Sequence, residues 1–240
     1  MLAVAGAVGG AGATRLAVEF GATLARDGRA VAVIDAAFGT QGLAGYVPGT
    51  IRPDATAVAT GEAGLEAALI DHPVDTAGRL AVCPAYAPFE RLARAKAPDA
   101  AERFGAAIRD ATAAFDHVLV DTPPVAANQA VAAVSAADRV ALVVPATRRG
   151  ADALPRMRDR LDDVGVGEVR SVVNRAGGDH PVEHADAVIP VADATPTGAG
   201  PTCADPDDSF APAVAAAVET VVDASLDLSF PETEGLSGYL

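Results

Sequence analysis

Residues Gly6-Ala7-Val8-Gly9-Gly10-Ala11-Gly12-Ala13-Thr14-Arg15 have the spacing of a loop that holds phosphate, but lack the lysine such a loop uses. Glycines let a backbone approach phosphate oxygens closely and adopt positive φ. Where such a turn runs into a helix, converging N–H groups and the helix dipole favour an anion. Gly9, Gly10 and Gly12 with the amides of Ala13, Thr14 and Arg15 are therefore candidate phosphate contacts. Thr14 is placed to offer its hydroxyl to Mg²⁺, as the Ser/Thr of a phosphate-binding loop does. The residue before it, a lysine where such loops reach the β- and γ-phosphates, is Ala13. A plain tight turn is the alternative for this stretch.

The elements that must position this loop alternate along the chain. Strand-like apolar runs fall at Leu2–Ala5, Ala30–Ile34, Leu80–Cys83, His117–Val120, Val140–Val144, Arg170–Val173 and Ala187–Val191. Several show little polar alternation, as expected when helices cover both faces of a sheet. Helical patterns fall between them at Thr14–Arg26, Glu62–Ile70, Asp99–Phe115, Ala151–Val164 and Phe210–Ala224. Leu16, Phe20 and Leu24 repeat at i, i+4 and i+8 as one core-facing stripe, and Gly28 sits where helices end. The expected class is α/β: a doubly wound, mostly parallel sheet flanked by helices, of the P-loop NTPase type. Residues 1–225 read as a single domain and 226–240 as a loose acidic tail, while Asp193–Asp208, rich in Pro, Thr, Gly and Asp, reads as a surface loop.

Composition narrows the function classes. The chain has 240 residues, half of them apolar, with seven Phe, three Tyr and no Trp, so small aliphatics build the core. Eighteen basic residues against 32 acidic ones give a formal charge of −14, and Lys96 is the only lysine. A lysine-poor, acid-rich surface suits a protein kept soluble at high salt. The same balance argues against nonspecific nucleic-acid binding, which needs a cationic face. Cys83 and Cys203 lack metal-ligand spacing and read as single buried thiols. His180 and His184 lie in a segment with Gly177, Gly178 and Pro181, a poor setting for a metal pair. With no basic leader and no bilayer-length apolar run, a cytoplasmic location and no integral membrane segment are expected.

Two families share this kind of loop. Gly6-xxx-Gly10-x-Gly12 matches the turn of short-chain dehydrogenases, and Asp35 could then bind a dinucleotide's ribose. Those enzymes need a Tyr four residues before a catalytic Lys, and Leu92 stands four before Lys96. The broader resemblance is to the ParA/MinD family of deviant Walker A ATPases, whose loop reads Lys-Gly-Gly-x-Gly-Lys-Thr-Thr. That pattern falls on Val8-Gly9-Gly10-Ala11-Gly12-Ala13-Thr14-Arg15. Asp35-Ala36-Ala37-Phe38-Gly39 resembles the family's Asp-x-Asp-x-Gly switch segment, and Phe115–Pro124 its Walker B strand with Asp121-Thr122-Pro123-Pro124. Thr60–Leu69 and Leu80–Pro84 resemble its middle region, and Val140–Pro145 a later strand. Asn174-Arg175 resembles a pair near the adenine. The resemblance spans roughly residues 1–192.

Measured against that family, three charges are missing together: the signature lysine is Val8, the Walker lysine Ala13 and the switch acid Ala37. Phosphoryl transfer depends on positioning and charge stabilisation, and one lost cation costs on the order of 10³-fold in rate. The resemblance therefore implies a degenerate member, a pseudo-ATPase that binds ATP or ADP with Mg²⁺ weakly or not at all. Thr14 and Asp121 would be the metal-side groups. Its role would be regulatory or scaffolding, in cell division or intracellular positioning, with an active ParA/MinD-like ATPase among its candidate partners. Loss of the signature lysine at Val8, which in that family reaches the phosphates bound by the partner subunit, implies a monomer or a differently arranged dimer. The competing readings are an ATPase using Arg15, Arg148 or Arg149 as substitute cation, or a binding protein for another anion such as a dinucleotide.

Overall fold

The computed structural model describes residues 1–192, 200–206 and 210–231. Among these residues eight strands form one sheet: β1 (Leu2–Gly6), β2 (Ala30–Asp35), β3 (Ile70–Asp71), β4 (Arg79–Cys83), β5 (His117–Thr122), β6 (Arg139–Pro145), β7 (Glu168–Ala176) and β8 (Ala187–Pro190). Their spatial order is β3-β4-β2-β5-β1-β6-β7-β8, with every pairing parallel except β3 on β4. The helices are α1 (Ala13–Arg26), α2 (Ala55–Thr60), α3 (Leu65–Ala68), α4 (Phe89–Ala95), α5 (Pro98–Asp110), α6 (Asn128–Ala136), α7 (Arg148–Val164) and α8 (Phe210–Val222). This is the α/β class that the alternating pattern requires.

The period-2 geometry of each strand sends its side chains to two separate cores. Val31 and Val33 of β2 face one core with Leu16, Phe20 and Leu24 of α1, and α1 continues that core to Val214 and Val218 of α8. The intervening Ala32 and Ile34 face Phe104 and Ile108 of α5. Under the other half of the sheet, Leu154, Met157 and Leu161 of α7 meet Leu142 and Val144 of β6. With both faces covered, the strands can be nearly all apolar, and β1, Leu-Ala-Val-Ala-Gly, is buried throughout. Phe38 and Phe104 meet edge to face, ring centroids 5.1 Å apart, and tie the segment after β2 to this layer.

Several boundaries differ from the periodicity-based expectation. The stretch Glu62–Ile70 is not one helix. Gly61, at φ 76°, closes α2, Gly64 starts the four-residue α3, and Ile70 already belongs to β3. Helices α2, α4 and α6 carry no apolar stripe in sequence; α6 reads Asn-Gln-Ala-Val-Ala-Ala-Val-Ser-Ala. Pro98 at the first position of α5 separates it from α4. Helix α7 begins at Arg148, three residues earlier than expected, because the Thr147 hydroxyl caps it by accepting the Gly150 N–H at 3.3 Å. Of the expected surface loop Asp193–Asp208, residues 200–206 are described and include a 3₁₀ turn at Thr202–Ala204. The rest of that loop and residues 232–240 of the expected tail lie outside the described residues. Among the described residues, no helix is long and apolar enough to cross a membrane. Cys83 and Cys203 are both buried free thiols.

Candidate functional site

The glycine loop leaves β1 at the carboxyl edge of the sheet, between the ends of β5 and β6. In open α/β sheets that edge is where ligands bind. Gly10 and Gly12 hold φ of 81° and 95°, which turns the chain into the start of α1. Gly9 and Gly10 are exposed, and a Cβ on either would meet nothing within 4 Å, so the outer face of the turn is open to an approaching anion. A Cβ on Gly12, by contrast, would collide with the side-chain amide of Asn174. Gly12→Ala is expected to cost roughly 2 kcal/mol, from the positive φ together with displacement of Asn174. Urea denaturation checks this; an unchanged midpoint would show that the loop is not held in this turn.

Asn174 and Arg175 clamp the loop from the end of β7. The Asn174 amide Nδ2 donates to the Ala11 carbonyl at 2.9 Å, and its Oδ1 accepts the Arg175 N–H at 3.0 Å. Arg175, at φ 61°, donates from Nη1 to the Gly10 carbonyl at 3.1 Å. Two loop carbonyls are thus turned toward this pair and away from the turn's outer face. The resemblance puts Asn174 and Arg175 near an adenine; in the structure they contact the carbonyls of Ala11 and Gly10 in the loop.

Two buried carboxyl groups lie side by side beneath the loop. Asp35 and Asp121 are register partners at the ends of β2 and β5. Asp35 is fully buried; it accepts the N–H of Ala37 at 2.7 Å and of Ala85 at 3.1 Å. That leaves no oxygen at the surface for a ribose. Burial pushes its pKa up to about 7, with the backbone N–H groups opposing the rise and Asp54 adding to it. Burial raises Asp121 well above the ordinary carboxylate range too, and the neighbouring Asp35 raises it further, while the Thr14 hydroxyl acts in the opposite direction. The Oδ2 atom of Asp121 is buried and has no hydrogen-bond partner among the described residues. An unpartnered buried carboxylate oxygen facing a threonine hydroxyl fits Mg²⁺, which is held by one or two protein oxygens beside phosphate.

No protein-family model matches the chain, and no curated protein sequence matches it. Solved structures do. MinD from Pyrococcus horikoshii, complexed with Mg-ADP, superposes with a TM-score of 0.74 at 20% identity, covering 91% of this chain and 95% of that one. A chain of the MinC:MinD cell division protein complex from Aquifex aeolicus gives 0.76 at 21%, covering 95% and 98%. A ParA family ATPase from Chlorobium tepidum gives 0.74 at 16%, covering 90% and 97%. The fold is that of the ParA/MinD ATPases.

Within the ParA/MinD fold this chain has few cations left to offer phosphate. Val8 is half-buried and packs against the apolar clusters of both sheet faces. Ala13 begins α1, and Ala37 is buried. Arg15 is engaged elsewhere: its Nε lies 3.4 Å from Glu19, its Nη2 3.5 Å from Thr202, and its guanidinium 4.9 Å from the Phe210 ring centroid. Glu19 is itself fully buried and accepts the Cys203 N–H at 2.9 Å, so this Arg15 cluster joins α1 to the 3₁₀ turn and α8. Arg148 and Arg149 stand exposed in the first turn of α7, beyond the end of β6. Sequence reasoning missed the 3₁₀ segment Gly42–Tyr46, which lies over the start of α1. A Cβ on Gly42 would come within 3.3 Å of the Thr14 hydroxyl. The Tyr46 phenol, its pKa raised by burial, feels the charges of Arg15, Glu19, Asp121 and Arg175. A glycine opposite Thr14 is the one sequence signal that could have marked this segment. Among the described residues there is no cluster of three metal-ligating side chains, so a cation here would rest on Thr14, Asp121 and the ligand's own oxygens.

Proposed function

We propose that this chain is a non-hydrolysing regulatory or scaffold protein on the ParA/MinD fold, acting through contacts with another protein in cell division or intracellular positioning. The observation that carries the reading is the charge at the loop. Two acids are buried beneath it, its lysine positions are Val8 and Ala13, and Arg15 and Arg175 are committed to protein partners. Loop amides alone can hold phosphate, but the transferring group needs fixed positive charge around it. The partner role draws on the Aquifex aeolicus relative, whose structure is a complex of MinC with MinD. A cytoplasmic setting and adaptation to high salt are part of the same proposal.

When Mg²⁺ is bound, it would supply positive charge between phosphate and the Asp35–Asp121 pair. Thr14 and Asp121 are the residues that would hold it, with Gly9, Gly10, Gly12 and the amides at the start of α1 around the phosphates. Asn174 and Arg175 keep the turn in shape, and Gly42 and Tyr46 lie over it.

Titration calorimetry with ATP and ADP, in concentrated KCl with Mg²⁺, tests this reading. The expected result is no binding tighter than about 1 mM, roughly 4 kcal/mol, and no change of molecular size on adding ATP. Micromolar binding or ATP-driven dimerisation overturns it. A second reading, turnover through a substitute arginine, is favoured by the exposure of Arg148 and Arg149. It requires a measurable ATPase rate that Thr14→Ala removes.

A further inference from the structure

The strongest unassigned feature lies away from the loop, on the β4 side of the sheet. A cavity of about 870 Å³ opens between the segment after β2, the start of α2 and the chain leading into α4, with Pro53, Ala57, Ala63 and Pro88 among its walls. A second hollow of about 470 Å³ shares Arg52 and Tyr86 with it. Tyr86 is 59% exposed and Phe89, at the start of α4, is 83% exposed. They are the exposed aromatics among the described residues, in a chain with only seven Phe and three Tyr. Scattered exposed aliphatics are ordinary; Tyr86 in the wall of a hollow that also carries Gln41, Glu62 and Arg91, with Phe89 next in sequence to its Pro88, marks a contact surface.

The segment that presents them is held from behind, residue by residue. The N–H of Ala85 donates to Asp35 at 3.1 Å, that of Tyr86 to Asp54 at 2.7 Å and that of Ala87 to Gln41 at 3.2 Å. The Gln41 amide returns a bond to the Ala87 carbonyl at 3.2 Å. Asp54, fully buried, also caps α2 and pairs with Arg91 at 2.8 Å. The backbone at Tyr86 is thus fixed before a partner arrives, which removes its share of the ordering cost on binding.

Charge decides the occupant. Arg91 is matched by Asp54, and Glu62 by Arg94 at 2.9 Å. Arg52 is exposed and has no acid within ion-pair distance among the described residues, although the chain carries 32 acids. We infer that the Arg52–Tyr86–Phe89 surface docks a peptide segment of a partner protein that carries an apolar or aromatic anchor and a nearby carboxylate. The anchor fills the hollow against Tyr86, and the carboxylate meets Arg52. A second copy of this chain would bring its own charge of −14 to the surface, a repulsion that salt screens, so self-association is decided by the test below. This inference rests on the reading of the protein as one that works through protein contacts.

The test is selection of a randomised 12-residue peptide library on the whole protein without nucleotide, followed by affinity measurement on the enriched sequences. The expected result is enrichment of peptides pairing an aromatic or aliphatic residue with Asp or Glu. Their binding should weaken at least about tenfold in Arg52→Glu and in the double variant Tyr86→Ser, Phe89→Ser. All three positions are exposed, so these variants should melt with the parent; a Glu→Lys change in the peptide should recover binding to Arg52→Glu. No enrichment, or peptides indifferent to both variants, overturns the proposal. So does concentration-dependent self-association that the same variants abolish, which would assign the surface to a second copy. Nucleotide calorimetry separates the two readings: tight ATP binding defeats the scaffold function, whereas peptide failure alone defeats only this surface.

Discussion

Replacing Ala13 with lysine is expected to tighten binding of Mg²⁺-ATP by about 10- to 100-fold, without producing turnover. A hydrogen bond to a charged group contributes about 1.5–3 kcal/mol, and about 1.4 kcal/mol is tenfold in affinity. Position 13 is where that contribution is missing. It opens α1, it is only partly buried, and it follows Gly12 into the turn whose outer face is open. Without ligand the new ammonium sits at the positive end of a helix, which costs about 0.3–1 kcal/mol. The variant should therefore melt slightly lower than the parent when free and recover with ATP. Ala13→Gln, of similar reach but neutral, should gain little.

Val8→Lys is a poorer route, because Val8 fills space between the clusters on the two sheet faces. Turnover is expected to stay absent in Ala13→Lys because Val8 and Ala37 still lack the charges that the family resemblance places there, each worth on the order of 10³-fold. The comparison of parent and Ala13→Lys by calorimetry decides the matter. If the parent already binds ATP as tightly as the variant, another group supplies the charge and the degenerate reading fails.

The sheet was legible in sequence because its strands are buried on both faces and so are nearly unbroken apolar runs, as in Val140–Val144. The first helix was legible through the stripe of Leu16, Phe20 and Leu24. Helix α4, seven residues of which only Ala95 is buried, is too short and too exposed to show a stripe, and the alanine-rich α2 and α6 were not legible either. Alanine packs on any side of a helix, so an alanine-rich segment buries itself without a periodic signal. Thr14 and Asp121 were paired in sequence through the family resemblance, which gives both as metal-side groups. The clamp by Asn174 and Arg175 was reachable only by resemblance, since the two lie 163 and 165 residues from the carbonyls they bind. Asp54 and Gln41 escaped notice because their roles are hydrogen bonds to Tyr86 and Ala87, which only tertiary structure brings near. Arg15 could be read either way from sequence; the buried Glu19 one turn along the same helix draws it away from the loop.

Asp121→Asn should raise the melting temperature at pH 8, in metal-free buffer with EDTA, by roughly 4–8 °C, about 2 kcal/mol for a chain of this size. Asp35 and Asp121 are buried side by side, Asp35 with a pKa near 7 and Asp121 well above the ordinary carboxylate range. An unfolded aspartate titrates near about 3.9. Between those values the native protein keeps protons that the unfolded chain has lost. Stability from this pair is thus fully present below about pH 4 and declines as pH rises through about 7, by up to about 1.4 kcal/mol per pH unit for each proton. An asparagine at 121 removes one of the two charges and offers an N–H to Asp35. Its melting temperature should therefore change less than the parent's between pH 5 and pH 8. Mg²⁺ supplies the complementary test. It should stabilise the parent at pH 8 by neutralising the pair at Thr14 and Asp121, and leave the asparagine variant unmoved. A parent whose stability rises steadily from pH 5 to pH 8 without metal would mean that both carboxylates are ionised and satisfied by groups other than a cation. The loop would then be a closed structural turn rather than the remnant of a nucleotide site.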